Sequence, residues 1–456
     1  MSLLHAVRRG IGVAGLGAAV AGAAGLAAGA GPAAAGLLAG GLLAAQGVLL
    51  DFWPVKVPVV MLHSVSGFRP DRPATFPVWC PPEMFEGYLA YLRRRGYTTI
   101  TLRRLHDHVA EGAPLPPKPI VLTFDDGYLD NWVYAVPLLE KYGFTATVFV
   151  PTDFIQPGDT PRPTLADVWR GRLREEDLEV YGYLNEAEIR EASRRGVLDV
   201  QSHGRTHTWL PVSDEVVDVH RPDLPLRQLR WTWWNRFPER KPFWFHEISA
   251  RDIPWGAPVY RSALALSAPA VRPDPGLEER LVAHVAERGG EAFFRGKGWR
   301  EEVGRVVAEW KREHPDPFPR ETAEQFRERL REELTASRER LEALTGREVR
   351  FMCWPNGGVC REAFDLLGEC GYLAATLPSR AKQPRNHRGT RPDRIGRISA
   401  TSYFRGSRRP FPWVLSFALK VERNRGNRWM ELPIKAIWLW RRFVPAGGSR
   451  PIGAEG

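Results

Sequence analysis

The chain is poor in cysteine. Its 456 residues hold four, Cys80, Cys353, Cys360 and Cys370, and none forms a C-x-x-C pair. That spacing matches no zinc module, so a cysteine-built metal site is not expected. It leaves open either one disulfide in an oxidising compartment or free buried thiols. Internal repeats are absent, and no long low-complexity linker follows the N-terminal segment. Blocks of like charge are absent too. Lys and Arg total 64 against 53 Asp and Glu, a net charge of +11, but the excess is spread along the chain. Such a balance suits an anionic surface or an acidic polymer. Without a nucleic-acid-binding module beside it, nucleic acid is not an expected partner.

What is present points to a large folded protein. A hydrophobic share of 43% supports a sizeable core and excludes wholesale disorder. The length allows two or three units, or one large domain with insertions. Seventeen tryptophans are many for this length; such rings fill cores and also stack on sugars. Residues 10–50 carry no charge and follow Arg8-Arg9. The run exceeds the roughly 20 apolar residues that span a bilayer, but it is rich in Ala and Gly, and Gly31-Pro32 divides it. A single uncleaved anchor, a cleaved signal peptide and a two-span hairpin are the competing readings. With Arg8-Arg9 on the cytoplasmic side, one crossing places everything after Asp51 outside. Residues 1–56 are accordingly expected to anchor or export the chain.

Strands then alternate with helices of about ten residues, the mark of an α/β unit with parallel strands. Residues 57–64 read as a strand ending in His63, 81–96 as a helix and 98–102 as a strand. A helix over 132–142, a strand over 145–150, a helix over 186–195 and a strand over 197–200 continue the rhythm. Residues 208–320 break it: they are rich in Pro, Trp and Arg, and read as an insertion with helices near 277–288 and 299–312. A charged amphipathic helix over 321–344 has Phe326, Leu330, Leu334, Leu341 and Leu344 on its apolar side, and Gly346 suits its C-terminal cap. A strand over 349–354 follows. The expected divisions are thus 57–207, 208–320, 321–400 and a basic, aromatic tail over 401–456.

The chain is organised around Ile120-Val121-Leu122-Thr123-Phe124-Asp125-Asp126-Gly127. This is an aliphatic strand that ends on two carboxylates and a glycine. Neighbouring strand side chains face opposite ways, so both acids reach one site only where the strand finishes. His203 and His207 follow another strand at a four-residue spacing that suits one side of a helical turn or tight loop. Strand ends of a parallel sheet are where such folds gather ligands. One carboxylate with two imidazoles suits a borderline divalent ion with open positions.

Thr123-Phe124-Asp125-Asp126-Gly127 followed by Ser202-His203-x-x-x-His207 resembles the polysaccharide deacetylases of the NodB-homology type (carbohydrate esterase family 4). The Val60-Met61-Leu62-His63 opening resembles the permuted branch acting on exopolysaccharide, in which this histidine comes first. The resemblance covers roughly 57–207 and 321–400. It implies a distorted (β/α) barrel with a large insertion, and a metal-dependent hydrolase removing N-acetyl groups from an amino-sugar polysaccharide. It assigns Asp126, His203 and His207 to a divalent metal ion, with zinc expected, Asp125 to the general base and His63 to the general acid. The chain departs from the family at Cys353-Trp354-Pro355-Asn356-Gly357, where Arg-x-Pro-Tyr-Gly is common; Arg397 is the candidate to replace the missing arginine. The expected partners are an N-acetylated polysaccharide and the membrane, in the cell envelope with the site outside the cytoplasm. An inactive glycan-binding relative and an amidohydrolase for a non-sugar amide are the rival readings. For Trp231, Trp233, Trp234 and Trp244, a sugar-stacking groove, a small core and a membrane-facing patch compete.

Overall fold

The computed structural model describes residues 55–66, 79–315, 318–377, 381, 383–400 and 409–443. The N-terminal apolar run lies outside the described residues. Among those described, no helix is long and apolar enough to cross a membrane.

A parallel sheet holds the molecule together. Its strands are β1 (Val59–Leu62), β2 (Thr98–Thr99), β3 (Pro119–Phe124), β4 (Ala146–Val150), β5 (Leu198–Ser202), β8 (Phe351–Met352), β9 (Ala374–Thr376), β10 (Arg394–Ile395) and β11 (Ile398–Ser399), with β6 (Trp209–Val219) and β7 (Pro258–Leu264) forming a separate antiparallel pair. The order across the main sheet is β10-β9-β8-β5-β4-β3-β1-β11, with β2 beside the start of β3. The two ends of that order are consecutive in sequence. Only Gly396 and Arg397 separate β10, which pairs with β9, from β11, which pairs with β1. Ile395 and Ile398 are three steps apart along the chain, at most about 11 Å, so the sheet is curled until its two edges come together at this segment. The expected α/β barrel is the observed architecture, and its seam falls at Arg397.

Alternation sorts the core into two faces. Val59, Val121, Phe149, Phe351, Cys353 and Ile395 form the inner cluster, joined by Leu102, Leu105 and Val109 of a helix over Leu102–Glu111. Val60, Leu62, Leu122, Phe124, Val148 and Val200 face the surrounding helices. All six residues of β3 are buried, as expected of a parallel strand covered on both sides.

Several expected boundaries move. The strand expected at 98–102 stops at Thr99, because Thr101 caps the helix that begins at Leu102. The helix expected over 132–142 opens as a π-helical turn, Asn131–Ala135, before Val136–Tyr142. The 349–354 strand pairs only at Phe351–Met352. The charged helix runs Ala323–Thr345, from a Thr322–Gln325 capping box to Gly346 at φ +65°.

Residues beyond β5 form the β6–β7 hairpin and helices that include Leu226–Arg236, Pro275–Glu287 and Trp299–Glu313. Three of the four clustered tryptophans are core: Trp233, Trp234 and Trp244 are 0–2% exposed and pack with Tyr128, Phe154 and Tyr183 of the barrel. Trp231 alone stays half-buried. In the tail, a helix over Pro410–Arg425 packs on a helix over Pro82–Arg94, with Phe417 stacked on Tyr88 at 4.3 Å. All four cysteines are free thiols, so the disulfide reading does not hold.

Candidate active site and metal centre

The parallel register brings four strand ends out at one edge of the sheet, those of β5 and β8 two residues beyond those of β1 and β3. Leu62 pairs with Phe124, Val150 with Ser202 and Ser202 with Met352. His63, Asp125, His203 and Cys353 each follow the last residue of their strand. Arg397 enters from the seam. His63, Asp125, Asp126, His203, His207 and Arg397, all six candidates, line one pocket of about 430 Å³.

Asp125 and Asp126 reach that pocket by different means. Asp125 continues the inward face of Val121 and Thr123. Asp126 would point away on a continuing strand, but its backbone turns to φ +73° and is followed by Gly127 at φ +64°. His207 (φ +43°) and Asn356 (φ +49°) share this uncommon conformation. Thus three of the four described non-glycine residues with positive φ line the pocket. Strain of roughly 1–3 kcal/mol at each is retained where the surroundings fix the conformation, most often at functional sites.

Arg397 grips Asp125 with both guanidinium nitrogens: Nη1 lies 2.6 Å from Oδ1 and Nη2 2.9 Å from Oδ2. Nη2 also reaches Cys353 Sγ at 3.2 Å, and Nη1 reaches Thr123 Oγ1 at 3.3 Å. Burial by itself pushes the Asp125 carboxyl up, but Arg397, with His63 and His203 beside it, holds it below the usual carboxylate range. His63 Nε2 stands 3.8 Å from Asp125 Oδ2. Its segment is tied down by Asn131, whose Nδ2 donates to the His63 carbonyl at 2.8 Å, and by Asp130, which accepts from Ser64.

Asp126 Oδ1 lies 3.1 Å from His203 Nε2 and 3.2 Å from His207 Nε2. The three ligand atoms fall within 4.8 Å of one another. His203 Nδ1 is 2.7 Å from the Cys353 carbonyl oxygen, which only accepts, so Nδ1 carries the hydrogen. Without an ion, a proton between Nε2 and Asp126 Oδ1 holds the pair together. With His203 neutral, the Nε2 lone pair and the carboxylate oxygen would instead face a shared cation, and the donor set suits a divalent ion. Burial opposes ionisation of Asp126, but hydrogen bonds from both imidazoles outweigh it and hold the carboxyl well below its usual range. His203 is drawn down by burial and more strongly up by Cys353 and Asp126. His207 is pushed down, chiefly by burial. The residues therefore fit a divalent ion.

The His203–His207 segment is a loop and not a helical turn. Glu333 accepts from the amides of Arg205 (3.2 Å) and Thr206 (3.0 Å), and buried Lys241 donates to the Thr206 carbonyl and to Asp153. Sequence reasoning missed both. A signal existed for Glu333: with Ser337 it interrupts the apolar stripe of its helix between Leu330 and Leu341. Lys241 left none, since nothing in a Pro- and Arg-rich stretch marks one cation as buried.

Residues 112–228 match the polysaccharide deacetylase family. That stretch contains Asp125 and all three residues of the candidate metal centre. Over 97 residues the chain is 35% identical to YxkH of Bacillus subtilis, named as a polysaccharide deacetylase; the alignment covers 21% of this chain and 32% of that protein. Over 120 residues it is 28% identical to the poly-β-1,6-N-acetyl-D-glucosamine N-deacetylase of Escherichia coli, covering 26% of this chain and 16% of that one. The alignments thus span a third or less of these relatives. Among solved structures, the de-N-acetylase from Aggregatibacter actinomycetemcomitans aligns with a TM-score of 0.45 at 15% identity, over 75% of this chain and 94% of that one.

Proposed function

We propose that this chain is a divalent-metal-dependent hydrolase that removes N-acetyl groups from an amino-sugar polysaccharide of the cell envelope or an exopolysaccharide. One observation carries the reading. A carboxylate locked by an arginine (Asp125) and a carboxylate shared by two imidazoles (Asp126) stand side by side at one strand end, in one pocket.

Asp126, His203 and His207 would hold the ion, zinc being the expected one. When bound there, a divalent ion supplies Lewis-acid polarisation of the amide carbonyl and lowers the pKa of water to about 7. The protein's own groups manage the protons. Asp125 remains ionised at neutral pH because Arg397 faces it, and it accepts the proton of the attacking water. Arg397 lowers its basicity, so its contribution is position and charge state more than proton affinity. His63, across from Asp125, donates a proton to the departing amine, which leaves poorly as an anion. Cys353 fixes the tautomer of His203 through its carbonyl and contacts Arg397 through its sulfur. The charge-free N-terminal run supports an envelope setting with the site outside the cytoplasm.

The test is acetate release from oligomers of N-acetylglucosamine, alongside metal analysis of the purified chain. The expected result is turnover that Asp125→Asn lowers by about 10²–10⁴-fold without loss of metal. Glycan binding without any acetate release would overturn the reading in favour of a binding protein.

A further inference from the structure

The pocket does not end at the strand ends. Arg230, Trp231 and Asn356 line it, and the same three residues also line a larger cleft of about 1610 Å³ beside it. That cleft lies between the β6–β7 hairpin and the helix Leu226–Arg236. Pockets for single small molecules run to about 300–1,000 Å³, so this one accommodates several sugar units at once.

Its lining is cationic. Six arginines face two glutamates. The glutamates are engaged, Glu278 by Arg236 and Glu321 by Arg329, and Arg261 is held by Glu215. Arg227 and Arg272 are exposed and have no carboxylate partner among the described residues. At the junction with the pocket, the Trp209 and Trp231 rings stack at 5.7 Å, with Arg227 5.0 Å over Trp209 and Arg230 4.3 Å over Trp231. A guanidinium held over an indole retains N–H donors, and it takes a carboxylate or a phosphate two oxygens at a time.

We infer that this cleft binds an anionic glycan, a chain bearing carboxylate or phosphate groups, and feeds it past Trp231 into the pocket. The inference rests on the deacetylase reading and names its substrate class. The shared lining of Arg230, Trp231 and Asn356 sets the two spaces side by side. A neutral polymer would leave Arg227 and Arg272 without a function in recognition.

The experiment is calorimetric titration of the full chain with three ligands: a neutral β-1,6-N-acetylglucosamine hexamer, a hexamer alternating N-acetylglucosamine with glucuronate, and a glycerol-phosphate oligomer bearing N-acetylglucosamine. At least one anionic ligand should bind roughly tenfold more tightly than the neutral one at low ionic strength, with the advantage screened by salt. The better of the two identifies carboxylate or phosphate as the source. Arg227→Gln/Arg272→Gln should remove most of that advantage and Arg227→Lys/Arg272→Lys should keep part of it. Both sites are exposed, so the variants should fold. Equal affinity for neutral and anionic chains overturns the inference, as does an equal loss from an Arg172→Gln/Arg194→Gln control, which would reduce the effect to net charge. Acetate release is read separately. Selective anionic binding with no release from any glycan would overturn the deacetylase reading while the cleft stands. Release without charge preference would do the reverse.

Discussion

Arg397 and Asp125 stand 272 residues apart in the chain and share two hydrogen bonds, 2.6 and 2.9 Å long, inside the barrel. Arg397 occupies the two-residue seam between β10 and β11, so the closure of the sheet and the orientation of the candidate base depend on the same segment. Both side chains are buried, at 10% and 4% exposure. Removing one partner of such a pair leaves an uncompensated charge and costs roughly 3–5 kcal/mol.

Arg397→Ala should therefore lose both stability and rate, and the pH profile separates the two effects. Asp125 now sits below the usual carboxylate range, so it stays ionised as pH falls through the range where free carboxylates protonate. Without Arg397, burial dominates and its pKa rises. The acid limb of kcat/KM should move to higher pH in the folded fraction of the variant. An unmoved limb would leave Arg397 a purely structural residue.

Metal content should follow the imidazoles. His203→Ala/His207→Ala is expected to lose the ion, measured by elemental analysis after dialysis, while Asp125→Asn retains it. Stoichiometric metal in the double histidine variant would remove Asp126, His203 and His207 from the metal assignment.

The tryptophans clustered in residues 231–244 should divide by burial. Trp234 is 2% exposed and meets Phe154 and His207 edge-to-face, so Trp234→Ala should cost about 3–5 kcal/mol by thermal unfolding. Trp231→Ala should cost less and raise KM for long oligosaccharides. Equal stability losses with unchanged KM would make both rings scaffold.

Asp130 should leave a mark on stability against pH. Burial pushes its carboxyl up to about 6, against hydrogen bonds from Ser64, the Val65 amide, Ser66 and Asn131. The folded state thus binds this proton more tightly than the unfolded chain, whose carboxyl titrates at 3.8. The contribution is full below the unfolded value and is lost as pH rises through about 6. Relative to Asp130→Asn, the wild type should lose up to about 3 kcal/mol between pH 4 and 7, read from melting curves. A constant difference across that window would show that Asp130 does not titrate there.

Much was legible without coordinates. The aliphatic run ending in Asp125-Asp126-Gly127, the strand leading to His203 and the α/β alternation follow from local pattern, because parallel strands buried on both faces must be continuously apolar. They determined the α/β class and set Asp125, Asp126, His203 and His207 at strand ends, whereas the barrel and the choice of His63 rested on the resemblance to the polysaccharide deacetylases. Only tertiary structure decided the rest. Arg397 could be nominated for the arginine that Cys353 replaces, but its grip on Asp125 depends on a sheet curling until its ends share one segment. The inward turn of Asp126 is a backbone angle held by its surroundings. The burial of Trp233, Trp234 and Trp244, with Trp231 left on a cleft wall, depends on where the insertion packs, and composition is the same for a core ring and a surface ring. Glu333 and Lys241 hold the histidine loop through contacts more than thirty residues away in sequence, and no local pattern encodes such a distance.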